Sequence, residues 1–484
     1  MPRSHHARVL ARGAAAILAV AAAFITFSSD PSAASPSPGG FVEKATSGEV
    51  RPRPSASELA RLLPSRGGFS FPAPWGTDAV RITNGSDCGG GDCVEPVGYS
   101  YWRNTNNHAG SDTMLIFLGL SPGRGGTGPT LFRYSKEDDT VKNAGPLFDA
   151  SDPLSRASGE GWYFSARMPH ALYLNSGSRM IRYDVMARSK TTVYDAASHL
   201  GGGIYIWQMH SSDDDRVHSA TVRSSASGAM LGCLAYRQDT GKLSYFQARG
   251  RLDECHLDRA GRYLIMLDNV DGTHGEDNRI VDLTTGAERL LMDQDGAAGH
   301  ADTGHGYMIN EDNWNAEPGA VRLWDLKAMT SRLVYHTSDW SVDVGHISHG
   351  NARAGSAADQ FACSSNATRG ALARANEIVC WRLDGSMDVL VVAPVMTDLN
   401  ASGGGDDYRK DPKGNLDVTG QYMLWTSNAG GGRLDAFLVK VPAHRLMGGS
   451  QPVAKPSPTR PAKNKRRLGR AFEALMAALE RKRP

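Results

Sequence analysis

No Cys-x-x-Cys pair occurs among the six cysteines, and the tightest spacing, Cys88 to Cys93, suits a small disulfide loop better than a metal-thiolate site. No apolar run reaches the ~20 residues of a membrane-spanning helix; the best candidate, residues 13–27, has 15. A Gly-x-Ser-x-Gly nucleophile signature is missing. The glycine-rich stretch at residues 123–128 lacks the Lys-Ser/Thr of a phosphate loop, and no βαβ pattern surrounds it. Neither charge sign dominates, with 53 Lys/Arg against 51 Asp/Glu, and 40% apolar content rules out a wholly disordered chain. Long helical patterns are few. The 54 glycines and 24 prolines punctuate short alternating segments, as expected of strands joined by tight turns.

The ends differ from the body. Arg3, Arg8 and Arg12 precede the apolar run, and Ser32-Ala33-Ala34 offers a cleavage site, so residues 1–34 read as a signal peptide or, less in keeping with their length, an uncleaved anchor. Export to a secreted or periplasmic location agrees with an even cysteine count and with pairing by proximity: Cys88 with Cys93, Cys233 with Cys255, Cys363 with Cys380. Residues 35–70 read as a Pro/Ser-rich linker with a possible short helix at residues 55–63, and 443–464 as a Pro/Lys linker. Residues 465–484 carry Leu468, Phe472, Leu475, Met476 and Leu479 at helical spacing among basic residues. Such a helix would lie on an anionic membrane surface or an acidic polymer, or dock on the body by its apolar stripe.

Between them, residues 71–442 contain seven similar hairpins, beginning at Leu131, Met180, Leu234, Arg279, Val321, Ile378 and Asp435. Each follows another strand pair at intervals that suit a four-stranded blade, which predicts an all-β seven-bladed propeller. The last copy stops before a fourth strand, and residues 78–83 are placed to supply it and close the ring.

His210, His256, His300 and His346 recur at intervals of 46, 44 and 46 residues, at the first strand of successive blades. Innermost strands run along a propeller's channel, so four imidazoles would face the axis as ligands for a divalent metal ion. The same phase would arise if each histidine braced its own blade. Residues 213–215 and 271–277 have the oxygen density of calcium loops, but neither has the full twelve-residue ligand pattern. Trp102, Arg103 and residues 104–108 form a polar cluster on an inner strand or its loop.

Residues 407–428, with Asp417-Val-Thr-Gly420 before a strand ending Thr426-Ser427-Asn428, resemble the blade motif of Tol-type periplasmic propellers and oligogalacturonate lyases; residues 257–266 repeat it more weakly. The resemblance implies a metal near the axis held by several histidines. The lyase family's His-x-His pair has its nearest match in His346-Ile-Ser-His349, one residue longer. On this reading the protein is a secreted polysaccharide lyase acting on a uronic-acid glycan by metal-assisted β-elimination. A cation acidifies the C5 proton and a base removes it. His349 and Tyr408 are candidates for base or acid, with Arg409 in the same catalytic set. Trp207 and Trp340 are candidates to stack on the sugar, and Arg216 and Lys410 to neutralise it. The alternative is a non-catalytic propeller binding glycans or an envelope partner. The expected partner is an acidic polysaccharide, and nothing suggests nucleic acid.

Overall fold

The computed structural model describes residues 37–448 except 107, 109–110, 274, 298, 312–316, 318, 338–341 and 343. The expected signal peptide and C-terminal basic helix, and Trp340, lie outside the described residues.

Seven antiparallel sheets form a seven-bladed propeller. The first strand of each blade is innermost; from the second blade onward these are Tyr163–Phe164, Ile204–Ser211, Arg251–Leu257, Ala301–Thr303, Ile347–Ser348 and Asn415–Leu416. Three further strands follow in most blades; in the third these are Val217–Ser224, Met230–Arg237 and Lys242–Gln247. Their residues alternate between the packed faces of neighbouring blades, which is why the period-2 pattern reads so clearly.

Turn chemistry recurs where an inner strand hands over to its neighbour. Asp258 Oδ1 accepts the backbone N–H groups of Arg262 and Tyr263, and Asp417 Oδ1 accepts those of Gln421 and Tyr422. Each turn needs a left-handed residue, supplied by Gly261 and Gly420 at φ 70°.

Ring closure uses the N-terminal part of the chain. Asp78–Arg81 pairs with Asp435–Lys440 in the seventh blade, with Val80 opposite Leu438, and Gly67–Ser70 adds a fifth strand outside it. The stretch read from sequence as a linker contributes more than a tether. Phe41–Lys44 pairs with Asp388–Pro394 on the rim of the sixth blade, and a helix, Ala56–Leu62, starts on a capping box between Ser55 and Glu58. Arg51 then bonds Glu377 and Glu43, fixing the segment to the blade.

The three disulfides are Cys88–Cys93, Cys233–Cys255 and Cys363–Cys380. The second staples the third blade to the inner strand of the fourth, and the third joins directly opposed residues in the sixth. Such bonds persist in oxidising compartments. No helix of the described residues is long and apolar enough to cross a membrane.

Candidate functional site

The first blade departs from the pattern in a way that determines the site. Its innermost segment bridges the second strand, Thr113–Leu120, at Val94 opposite Leu120 and again at Thr105 opposite Ile116. Residues 95–104 therefore stand against only residues 117–119, and the excess bulges into the channel. This plug touches blades all round the ring. Trp102 Nε1 donates to the Met209 carbonyl, Tyr101 OH to Glu254, Ser348 Oγ to the Ser100 carbonyl and Asn415 Nδ2 to Asn104 Oδ1. Tyr101, Trp102, Arg103 and Asn104 are all buried.

The phased histidines meet the plug in two pairs. The rings of His210 and His256 lie 4.7 Å apart against Tyr101, and those of His300 and His346 lie 5.0 Å apart against Tyr99. One member of each pair faces a carboxylate: His256 Nε2 is 2.8 Å from Glu254, and His346 Nδ1 is 3.0 Å from Asp411. Although burial disfavours its charged form, Glu254 holds His256 above the ordinary imidazole range. Among the described residues, the other member faces no carboxylate at such a distance. Burial, then the neighbouring His256, pushes His210 well below that range, and burial with His346 pushes His300 down to about 4.

The donor set does not suit a single axial metal. Two imidazoles are engaged by carboxylates, and aromatic rings lie against all four. Among the described residues, the group of three His, Cys, Asp or Glu side chains with ligand atoms within 4.8 Å of one another is Asp271, Asp277 and Asp293, not the histidines. A divalent metal ion thus has a possible holder in this chain, away from the expected cage, and no chemical step is assigned to an ion on the axis.

The other candidates separate between the two ends of the channel. Tyr408 and Arg409 precede the inner strand of the seventh blade and line a pocket of about 260 Å³ at the mouth, together with Glu95, Tyr99, Glu160 and Lys413. Tyr408 is 58% exposed, and its hydroxyl donates to Tyr99. Beneath it, Lys413 donates to the Tyr408 carbonyl and sets its ammonium 3.7 Å from the ring centroid. Burial pushes Lys413 below and Glu160 above their usual values. Arg409 is turned away, 3.1 Å from Asp92 and bonded to the Val94 carbonyl. Lys410 does not face a ligand: its buried ammonium caps the carbonyls of Leu399 and Ala401.

His349 is not brought to Tyr408 and Arg409. It is fully buried, Nδ1 faces the Phe361 carbonyl at 3.0 Å and Nε2 faces Tyr307 OH at 2.8 Å, so the ring nitrogens brace the sixth blade against the fifth. Arg216 lies in the turn after the third inner strand, at the far end of the channel, exposed and 3.8 Å from Asp214. Trp207 is half-buried on that strand. Sequence reading did not single out Tyr99, Tyr101, Glu160, Glu254 or Lys413. Lys413 stood inside the recognised blade motif, but only the fold reveals that it backs an exposed ring.

No family model matches the chain, and no curated protein matches it. Solved structures do. An oligogalacturonate lyase in complex with manganese aligns at 11% identity and TM-score 0.52, covering 82% of this chain and 98% of that one. An oligogalacturonate lyase from Vibrio parahaemolyticus aligns at 10% identity and TM-score 0.54, covering 82% and 99%. The likeness is one of fold. It agrees with the propeller described above and with the resemblance of residues 407–428.

Proposed function

We propose that the protein is a carbohydrate-binding propeller whose ligand docks at the channel mouth, on Tyr408. The observation that carries this reading is an aromatic ring left 58% exposed at the rim of a pocket and held rigidly from behind by Lys413 and Tyr99. A fixed aromatic face with polar groups around it suits the apolar face and hydroxyl rim of a sugar. Glu160 and Glu95 supply acceptors for hydroxyls. The plug closes the channel beneath, so the ligand lies across the mouth.

A second reading, cleavage of a uronate glycan by β-elimination, is supported by the fold shared with oligogalacturonate lyases and by the pair Lys413 and Glu160, whose burial moves an amine down and a carboxyl up. The C5 proton would pass to the Lys413 amine, the C4=C5 double bond would form as C4–O4 breaks, and the Glu160 carboxyl would protonate the leaving oxygen. This route requires Tyr408 to swing off Lys413.

Calorimetric titration with uronate and neutral oligosaccharides, run alongside ultraviolet detection of unsaturated products, tests both readings. Binding weakened about tenfold or more in Tyr408→Ala at unchanged melting temperature supports the glycan site. No binding across the panel, or equal binding by the variant, overturns it. Unsaturated product abolished in Lys413→Met supports the lyase reading, and its absence with every uronate removes that reading.

A further inference from the structure

The loop at residues 270–277 joins the second and third strands of the fourth blade, Tyr263–Asn269 and Asn278–Asp282, and opens where the inner strand of that blade begins, with Arg251 opposite Asn269. Its shape is set by hydrogen bonds. Asn269 Nδ2 donates to the carbonyls of Thr273 and Gly275, while Asp277 Oδ2 accepts the N–H groups of Val270 and Asp271. Asp293, from the connection to the fifth blade, donates its own N–H to Asp277 Oδ1, and Gly275 passes so close that a Cβ there would stand 2.4 Å from Asp293 Oδ2. Three carboxylates therefore converge, with ligand oxygens all within 4.8 Å.

Convergence alone is common among acidic turns. A second observation concerns Asp293. Its side chain is 4% exposed, yet Oδ1 has no hydrogen-bond partner, and its other oxygen has only Thr273 Oγ1 at 3.4 Å. Asp277 beside it is 1% exposed. Among the described residues, no Lys, Arg or His forms an ion pair with any of the three. A buried carboxylate with one oxygen left without a donor and with no counter-charge, and with a ligand atom within 4.8 Å of those of two further carboxylates, is unfavourable unless a cation occupies the space between them.

We infer that Asp271, Asp277 and Asp293 bind a hard divalent cation, with calcium as the best match. The donors are all oxygen, which favours calcium over zinc or copper, and Thr273 Oγ1 and water would complete six to eight ligands. Asp277 and Asp271 are already oriented by backbone and Gln294 bonds, so Asp293 is the carboxylate that awaits the ion. Bound there, the cation ties the connection between the fourth and fifth blades to the loop at the channel mouth. The site is independent of the glycan reading and uses none of its residues.

The test uses the full chain, stripped with chelator and titrated calorimetrically with calcium chloride, then with manganese and magnesium chlorides. The expected result is one calcium per chain with a dissociation constant of about 10⁻⁵ to 10⁻³ M and a melting temperature that rises with calcium concentration. Asp293→Asn, close to isosteric, should weaken binding about tenfold or more while leaving the stripped protein at least as stable. Asp271→Asn, at an exposed position where misfolding is of little concern, should weaken it as well. No binding of any of the three ions at millimolar concentration overturns the inference, as does calcium binding that neither variant changes.

Discussion

The two ends of the channel are built from the same kinds of residue and treat them differently. At the far end, charges are mutually engaged: Arg259 bonds Asp302 at 3.0 Å, Asp302 also accepts the His349 N–H, and His305 lies 3.1 Å from Asp213. At the mouth, Tyr408 stands exposed, and no carboxylate lies within ion-pairing distance of Lys413 among the described residues. Buried polar groups that satisfy one another stabilise a ring of blades. An exposed ring over an amine without a counter-charge, in a site with shifted acid and base strengths, marks where a ligand completes the set.

Breaking the far end should therefore disturb the fold most. Arg259→Met leaves Asp302 buried without its counter-charge and should lower stability by about 3–5 kcal/mol, read from the denaturant midpoint. A loss below about 1 kcal/mol would mean that the far-end web is not structural.

Acid should act on the same end, and also on His300 beside the plug, which burial likewise pushes down to about 4. Burial pushes His349 down to about 4, and His218, bonded to Ser211, is likewise pushed down to about 4. Both titrate near 6.5 when unfolded, so between pH 6.5 and 4 the unfolded chain binds more protons and stability falls as pH falls. The loss approaches roughly 3 kcal/mol per histidine at pH 4. Melting curves across that window should decline, and His349→Gln should flatten the decline; an unchanged slope in the variant would contradict the assignment.

A smaller effect is expected midway. Tyr101→Phe removes the donor to buried Glu254 and should lower stability by about 1–3 kcal/mol without changing glycan affinity. At the mouth itself, Tyr408→Ala should leave the melting temperature within about 1 °C, because the ring is more than half exposed. Its effect belongs to binding. A variant that unfolds early but binds normally would reverse the contrast between the ends.

Several of these features were readable in the chain. The hairpins showed because strand alternation and the Asp-x-x-Gly turns, at Asp258 and Asp417, are local. The missing fourth strand of the last blade pointed to residues 78–83 because a propeller cannot leave that edge unpaired. Other features had no local signal. Whether residues 95–104 form a strand or a plug depends on which residues of the second strand they oppose, a register that composition does not report. The strand Phe41–Lys44 lay within a Pro/Ser-rich stretch, and its partner is more than 300 residues away. Asp293 carried no sign that it would face Asp271 and Asp277.

The spacing of the four histidines is likewise a sequence fact, and it put His210 and His256 on successive inner strands and His300 and His346 just before the next two. Their chemistry was decided by their surroundings: Tyr99, Tyr101 and Asp411 arrive from other blades, and Glu254 sits two residues before His256 on the same strand. The sequence by itself determined the repeat, the strand pattern, the disulfide partners and the closure of the ring, since these follow from local periodicity and from edges that must be paired. Only the tertiary structure decided which polar groups engage one another and which remain for a ligand, because that depends on distances between residues far apart in the chain.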